Sequence, residues 1–222
     1  RLVGSEMCIR DSIEFATLQA KGEYVLVLTD RKVLYAGALK KLFKHISRHP
    51  EINTCSFGVQ SYDEINRKMM WNPVIGKTVL IKSEQLLQNF LTTNLFGAAS
   101  MDDKFPKTFN GVFKNSYAQS IREKYGYYFN LSGVTTPDYS SFFINCLLNE
   151  YHLFIGEKII LTQGESISNG RLFGAGKFQA YMASLGLEAP YRYVPIEAPL
   201  IYNLLLSDLL EVEKHIQEPR SS

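Results

Sequence analysis

The segment that most constrains the fold is a short apolar strand that ends on a polar cluster and is followed by a helix. Residues 24–28 read Tyr-Val-Leu-Val-Leu, a run that is apolar on both faces, as is typical of a sheet covered by helices on each side. Residues 29–32 are polar, and the apolar positions after them have helical spacing up to Pro50. Strand, loop and helix in this order predict an α/β fold. The apolar face of the predicted helix consists of Leu39, Leu42, Phe43 and Ile46.

The rest of the chain continues to alternate between strand and helix patterns. Strand patterns occupy residues 54–64 and both sides of Gly76, where two short strands are predicted to form a hairpin. The 222 residues, 45% of them apolar, suffice for one large domain. Four helices are predicted. The first covers 83–96, and the second carries an apolar stripe at Tyr117, Ile121 and Tyr125 and ends at Gly126. The third follows Pro137, and the fourth lies in the tail after Pro199.

Charge and cysteine content exclude several classes of function. The chain carries 24 Lys and Arg against 22 Asp and Glu, so no dedicated surface for nucleic acid is expected. Its three scattered cysteines lack the spacing of zinc ligands and indicate reduced thiols. No apolar stretch approaches the roughly 18 residues of a transmembrane segment. These features predict a cytoplasmic protein, with a peripheral position at a membrane as the alternative.

The first residues of the chain do not fit the pattern that follows. Residues 1–12 read RLVGSEMCIRDS, which is neither a signal peptide nor the start of the amphipathic helix predicted from about Ile13. They resemble a translated sequencing adapter and are expected to be non-native and to lie outside the core. The natural chain would then extend upstream, and the sequence would be a fragment.

Two aspartates stand where carboxylates carry chemistry in α/β proteins. Asp30 follows the strand at 24–28, and open α/β sheets bind ligands beyond the carboxyl ends of their strands. A carboxylate there can hold a hard divalent cation, although a turn or helix-capping role is the alternative. Asp138 follows Pro137 and precedes an apolar helix, so it either caps that helix or faces a cleft.

Two longer segments carry a family resemblance. The stretches AKGEYVLVLTDRKVLYAGALKKL and FNGVFKNSYAQSIREKYGYYFNLSGVTTPDYSSFF resemble, in this order, two parts of a glycosyltransferase family 2 domain of the GT-A fold. The resemblance covers roughly residues 13–175 and implies the C-terminal part of a GT-A mixed sheet flanked by helices. The N-terminal nucleotide-binding strands would be missing. Residues 176–222 are then a C-terminal extension, mostly loop and amphipathic helix.

The resemblance also implies roles for individual residues. Asp30 matches the acid that meets the metal, Mg²⁺ or Mn²⁺, and the donor diphosphate, with Thr29 and Arg31 beside it. Arg31 occupies the place of the usual second carboxylate, which leaves metal use open, because a guanidinium can contact phosphate directly. Asp138 matches the acid taken as catalytic base, although Pro137 replaces the first acid of the usual pair. The polar groups expected near the acceptor are Asn110, Tyr139, Ser168 and Asn169.

The function implied is that of an inverting, hexosyltransferase-like enzyme of polysaccharide biosynthesis. It would move a sugar from a nucleotide diphosphate donor to a hydroxyl of a saccharide or lipid-linked acceptor, and the fragment alone is expected to be inactive. The motifs do not specify the donor base, the sugar or a homo-oligomer. One alternative is a non-catalytic GT-A-like module that binds a glycan or a partner. Another is an unrelated α/β binding domain, which predicts that Asp30 and Asp138 face different surfaces.

Overall fold

The computed structural model describes residues 5–71, 76–92, 104–128, 134, 136–163, 191–196 and 200–218. Within them, the strands are β1 (Tyr24–Leu26), β2 (Lys32–Leu34), β3 (Thr54–Asp63), β4 (Lys68–Trp71), β5 (Val79–Lys82), β6 (Gly111–Lys114) and β7 (Tyr151–Thr162). The helices are α1 (Ser5–Leu18), α2 (Ala38–Ile46), α3 (Ser83–Thr92), α4 (Asn115–Tyr125), α5 (Pro137–Leu148) and α6 (Ile201–Gln217). A 3-10 turn covers Thr108–Asn110.

The strands form a mixed sheet, which confirms the α/β class with flanking helices. The order is β1-β6-β3-β7-β2, with β4 paired to β3 and β5 paired to β7. The β3–β7 pair is parallel, and the other pairs are antiparallel. Neighbouring residues of β6, Val112 and Phe113, belong to two different apolar clusters. Because adjacent side chains of a strand point to opposite faces, apolar side chains cover both faces of this sheet.

The first strand–loop–helix unit differs from its prediction in two respects. The strand ends at Leu26, and a second strand, β2, begins at Lys32, the last residue of the polar cluster, and precedes α2. Helix α2 packs against β7 and buries Ala38, Leu42 and Ile46, whereas Leu39 is 62% and Phe43 70% exposed. The predicted face was therefore half wrong. The buried residues, Ala38, Leu42 and Ile46, are four positions apart and face the sheet. Leu39 and Phe43 lie on the adjacent side of the helix, which faces solvent.

The strands on either side of Gly76 exist, but they do not form a hairpin with each other. Strand β4 pairs with β3 across a tight turn in which the Asp63 carboxylate accepts hydrogen bonds from the amides of Ile65 and Asn66 (3.0 and 3.1 Å). Strand β5 instead pairs with β7. The hairpin prediction was wrong because each strand found a longer neighbour elsewhere in the sheet.

Helix α1 begins at Ser5 and not near Ile13. Its Glu14 carboxylate accepts hydrogen bonds from Arg122 Nε (2.5 Å) and from the Tyr128 amide (3.1 Å). Since Arg122 lies on α4, this ion pair fixes the second half of α1 to the domain. The adapter origin of residues 1–12 stays a prediction.

Helix α6 is part of the largest apolar cluster. It buries Leu204, Leu205, Leu209 and Val212, and it packs against α5. The Tyr202 ring stacks on Phe90 with 5.6 Å between centroids, and its hydroxyl donates to the Phe90 carbonyl (2.8 Å). The domain division at residue 176 stays a prediction. Within the described residues, no helix has the length and apolar character that crossing a membrane requires.

Candidate functional site

The loop that carries Asp30 joins β1 to β2 and is exposed at its tip. The Lys32 amide donates to the Thr29 carbonyl (3.1 Å) and closes the turn. The Gln163 amide donates to the Arg31 carbonyl (2.9 Å) and ties the turn to the end of β7. The side chains of Asp30 and Arg31 are both exposed. The backbone of the loop is thus held in place while these two side chains face solvent.

Lys32 connects this loop to the 3-10 turn at residues 108–110. Its ammonium donates to the Phe109 carbonyl and to Asn110 Oδ1 (3.0 Å for the latter), and it lies 5.4 Å from the centroid of the Phe109 ring. Asn110, predicted to contact the acceptor, therefore has its side-chain oxygen engaged by Lys32. This pairing could not be predicted from local sequence patterns, because the two residues are 78 positions apart.

Asp138 lies in the first turn of α5, directly after Pro137. Ser141, one turn later, donates from Oγ to the Asp138 carbonyl (2.6 Å) and accepts a hydrogen bond from the Thr108 amide (3.0 Å). The half-buried ring of Tyr139 lies 4.8 Å from Lys107 Nζ. The start of α5 therefore packs against the same 3-10 turn that Lys32 contacts.

The two candidate regions thus share one neighbour, the segment 107–110. That contact places the Asp30 loop and the Asp138 helix against opposite ends of a turn only three residues long. Whether the two carboxylates line one cleft stays a prediction. Ser168 and Asn169 lie outside the described residues.

Gly111 explains why this turn can lie directly on the sheet. A Cβ at this position would lie 2.6 Å from the Cys55 carbonyl oxygen and 2.9 Å from that of Lys107. Real Cβ atoms do not approach backbone oxygens this closely, so only glycine permits the packing. The Asn110-Gly111 pair in the segment that begins FNGVFK was the sequence signal that could have indicated a glycine-dependent turn here.

Buried side chains hold the segment 104–110 from below. Ser56 Oγ donates to the Lys104 carbonyl (3.0 Å), and Asn145 Nδ2 donates to the Pro106 carbonyl (2.7 Å). His152 Nε2 lies 2.8 Å from Ser56 Oγ, and its Nδ1 lies 2.9 Å from Thr54 Oγ1. Complete burial lowers the pKa of His152 to about 3. His152 is therefore a neutral support for this segment at physiological pH, and sequence reasoning did not single it out.

The residues of the Asp30 loop do not fit the divalent cation that the family resemblance implies. Among the described residues, no group of three or more His, Cys, Asp or Glu side chains is arranged to hold a metal ion. Asp30 is the only carboxylate in residues 29–32, and Arg31 and Lys32 follow it. A hard cation needs several oxygen ligands, and two adjacent cationic side chains oppose its binding. A diphosphate at this loop would instead meet the Arg31 guanidinium.

Among solved structures, the chain is similar to the crystal structure of S. aureus TarS 1-349, with 11% sequence identity and a TM-score of 0.47. The match covers 92% of this chain and 51% of that one, so the chain spans about half the length of the structure it matches. No family model and no curated protein sequence matches the chain.

Proposed function

We propose that this chain is part of a GT-A glycosyltransferase that moves a sugar from a nucleotide diphosphate donor to a hydroxyl of a saccharide or lipid-linked acceptor. The observation that carries the proposal is the 3-10 turn at residues 108–110, which contacts both motif regions through Lys32 and Ser141.

Asp138 is proposed as the catalytic base of an inverting displacement. Its carboxylate takes the proton of the acceptor hydroxyl while the hydroxyl oxygen bonds to the anomeric carbon. The bond from that carbon to the diphosphate oxygen breaks, and the nucleoside diphosphate leaves with the electron pair. One carboxylate suffices for this step. Support comes from the ordered position of Asp138 in the first turn of α5, where Ser141 and Thr108 hold the backbone.

The donor diphosphate is proposed to bind at the Asp30 loop. The exposed guanidinium of Arg31 offers two parallel N–H donors to phosphate oxygens, and this pairing is stronger than a neutral hydrogen bond. Thr29 contributes a hydroxyl, and Asp30 is the acid that the family resemblance places at the donor diphosphate. Asn110, Tyr139, Ser168 and Asn169 are proposed to contact the acceptor.

Two variants of the complete protein test these roles. Asp138→Asn should reduce transfer by about 10²- to 10⁴-fold, the usual contribution of a general base, and leave the affinity for the nucleotide sugar unchanged. Asp30→Asn should weaken donor binding as well as turnover. Glu150→Gln, an exposed carboxylate just beyond α5, is the matched control. Wild-type transfer by the Asp138 variant would remove that residue from the mechanism.

A non-catalytic module that binds a glycan or a partner is the second candidate. It is favoured by the single acid in each motif, since Arg31 and Pro137 stand where the family resemblance implies further carboxylates. This candidate predicts glycan binding without transfer from any nucleotide sugar. Titration of the complete protein with oligosaccharides, beside a transfer assay, separates the two.

A further inference from the structure

The start of α5 is held by a residue from a helix that is far away in the chain but adjacent in the fold. Thr136, the residue before the helix, makes no side-chain cap of its own. Instead, its amide and its hydroxyl both donate to Oδ2 of Asp208, at 2.9 and 2.5 Å. Asp208 lies on α6, 72 positions away. A carboxylate of α6 thus holds the N-cap residue of α5, as the acid of a capping box does when it accepts from the N-cap amide.

Packing keeps this carboxylate in place. Asp208 is only 1% exposed, and its helix is anchored by Leu205, Leu209 and Val212 in the apolar core. A buried carboxylate is costly unless hydrogen-bond donors satisfy it, so the bonds to Thr136 are needed by both partners. A shift of Thr136 would leave Asp208 without two of its donors.

We infer that Asp208 is a positioning residue that sets the location of Asp138, an inference that rests on the proposed function. Thr136 is two residues before Asp138, and its carbonyl accepts the first hydrogen bond of the helix, from the Ser140 amide (2.8 Å). Asp208 therefore fixes one side of the first turn, and Ser141 with Thr108 fixes the other. A displacement of about 1 Å at a reacting group can cost on the order of 100-fold in rate.

The test uses two pairs of variants and one control variant in the complete protein. Asp208→Ala removes both bonds and should lower kcat by about 10- to 100-fold, with the Kd for the nucleotide sugar within about twofold of wild type, because Asp138 acts on the acceptor. Asp208→Asn keeps an acceptor oxygen and should restore most of the rate. Thr136→Val should lower kcat where Thr136→Ser does not. Glu211→Ala is the matched control, because Glu211 is 5% exposed on the same helix and pairs with His215 (3.3 Å).

A second readout does not depend on activity. Hydrogen exchange of the amides at residues 136–141 should accelerate in Asp208→Ala and Thr136→Val and stay unchanged in the Glu211 control. Wild-type exchange and wild-type kcat in Asp208→Ala would overturn the inference. If Asp208→Ala does not fold, the Thr136 pair decides in the same way. If the wild-type protein transfers no sugar, the proposed function fails, and the exchange rates alone support or refute the role of Asp208 at the start of α5.

Discussion

The Asp30 loop and the start of α5 differ in how the fold holds them. The loop is exposed at Asp30 and Arg31 and is fixed through its backbone and through Lys32. The start of α5 is fixed by buried side chains on two sides, Ser141 toward the 3-10 turn and Asp208 toward α6. A site that recognises a mobile, highly charged diphosphate can use exposed cations, whereas a base must be held within a fraction of an ångström. The comparison predicts that substitutions near the start of α5 mainly change stability, whereas substitutions in the Asp30 loop mainly change ligand binding.

The largest effect on stability is expected in the core beneath α5. Phe142 is fully buried, and its ring stacks on Phe105 with 4.4 Å between centroids. Phe142→Ala should lower the free energy of unfolding by about 3–5 kcal/mol, because it removes buried area and leaves a cavity. Leu39→Ala, on the exposed side of α2, should change it by less than about 0.5 kcal/mol. Urea unfolding of the 222-residue chain measures the free energy of unfolding of both variants. Equal losses in Phe142→Ala and Leu39→Ala would contradict the expected difference.

A smaller loss of stability is expected from a substitution where α5 meets the 3-10 turn. Ser141→Ala leaves the buried Thr108 amide without its acceptor, which should cost about 2 kcal/mol. Ser47→Ala is the control, because the Ser47 hydroxyl makes an exposed bond to the Lys44 carbonyl at 3.4 Å. A Ser141 variant as stable as the Ser47 variant would show that water replaces this contact.

His152, which supports the segment 104–110, should make the stability of the fold depend on pH. The pKa of His152 is about 6.5 when exposed and is lowered by burial to about 3 in the fold. Below about pH 6.5 the unfolded chain binds a proton that the folded chain does not, so the free energy of unfolding should fall by about 1.4 kcal/mol per pH unit on acidification toward pH 3. His152→Gln should lack this contribution. An identical pH dependence in wild type and variant, measured by urea unfolding, would exclude His152 as its source.

The smallest effect on stability is expected at the Asp30 loop, where the effect on binding should be clear. Arg31→Ala should change the free energy of unfolding by less than about 0.5 kcal/mol, because the side chain is exposed. The same variant of the complete protein should bind a nucleoside diphosphate at least about tenfold more weakly, the usual worth of a hydrogen bond to a charged group. Calorimetric titration with EDTA present measures it, and Arg48→Ala, at the end of α2, is the control. Loss of wild-type binding in EDTA would indicate a cation after all.

Several elements could be predicted from the sequence because their causes are local. Gly126 adopts a positive φ of 86° and ends α4 as its sequence pattern predicted, since glycine pays no penalty in that conformation. Pro137 opens α5 because its missing amide is not needed in the first turn. Strand β3, Thr54–Asp63, also agrees with the strand predicted at residues 54–64. Asp30 and Asp138 were selected by the same local logic, from their places at the end of a strand and the start of a helix.

Other features were decided only by tertiary structure. The side of α2 that is buried, the partners of β4 and β5, and the contact of Lys32 with Asn110 each depend on residues far apart in the chain. Asp208 lies among the apolar residues of α6, and in the fold it accepts two hydrogen bonds at the start of α5. Periodicity and capping rules describe interactions over a few residues. Which surface meets which, and which buried polar group finds a partner, is set by the packing of the whole sheet and its helices.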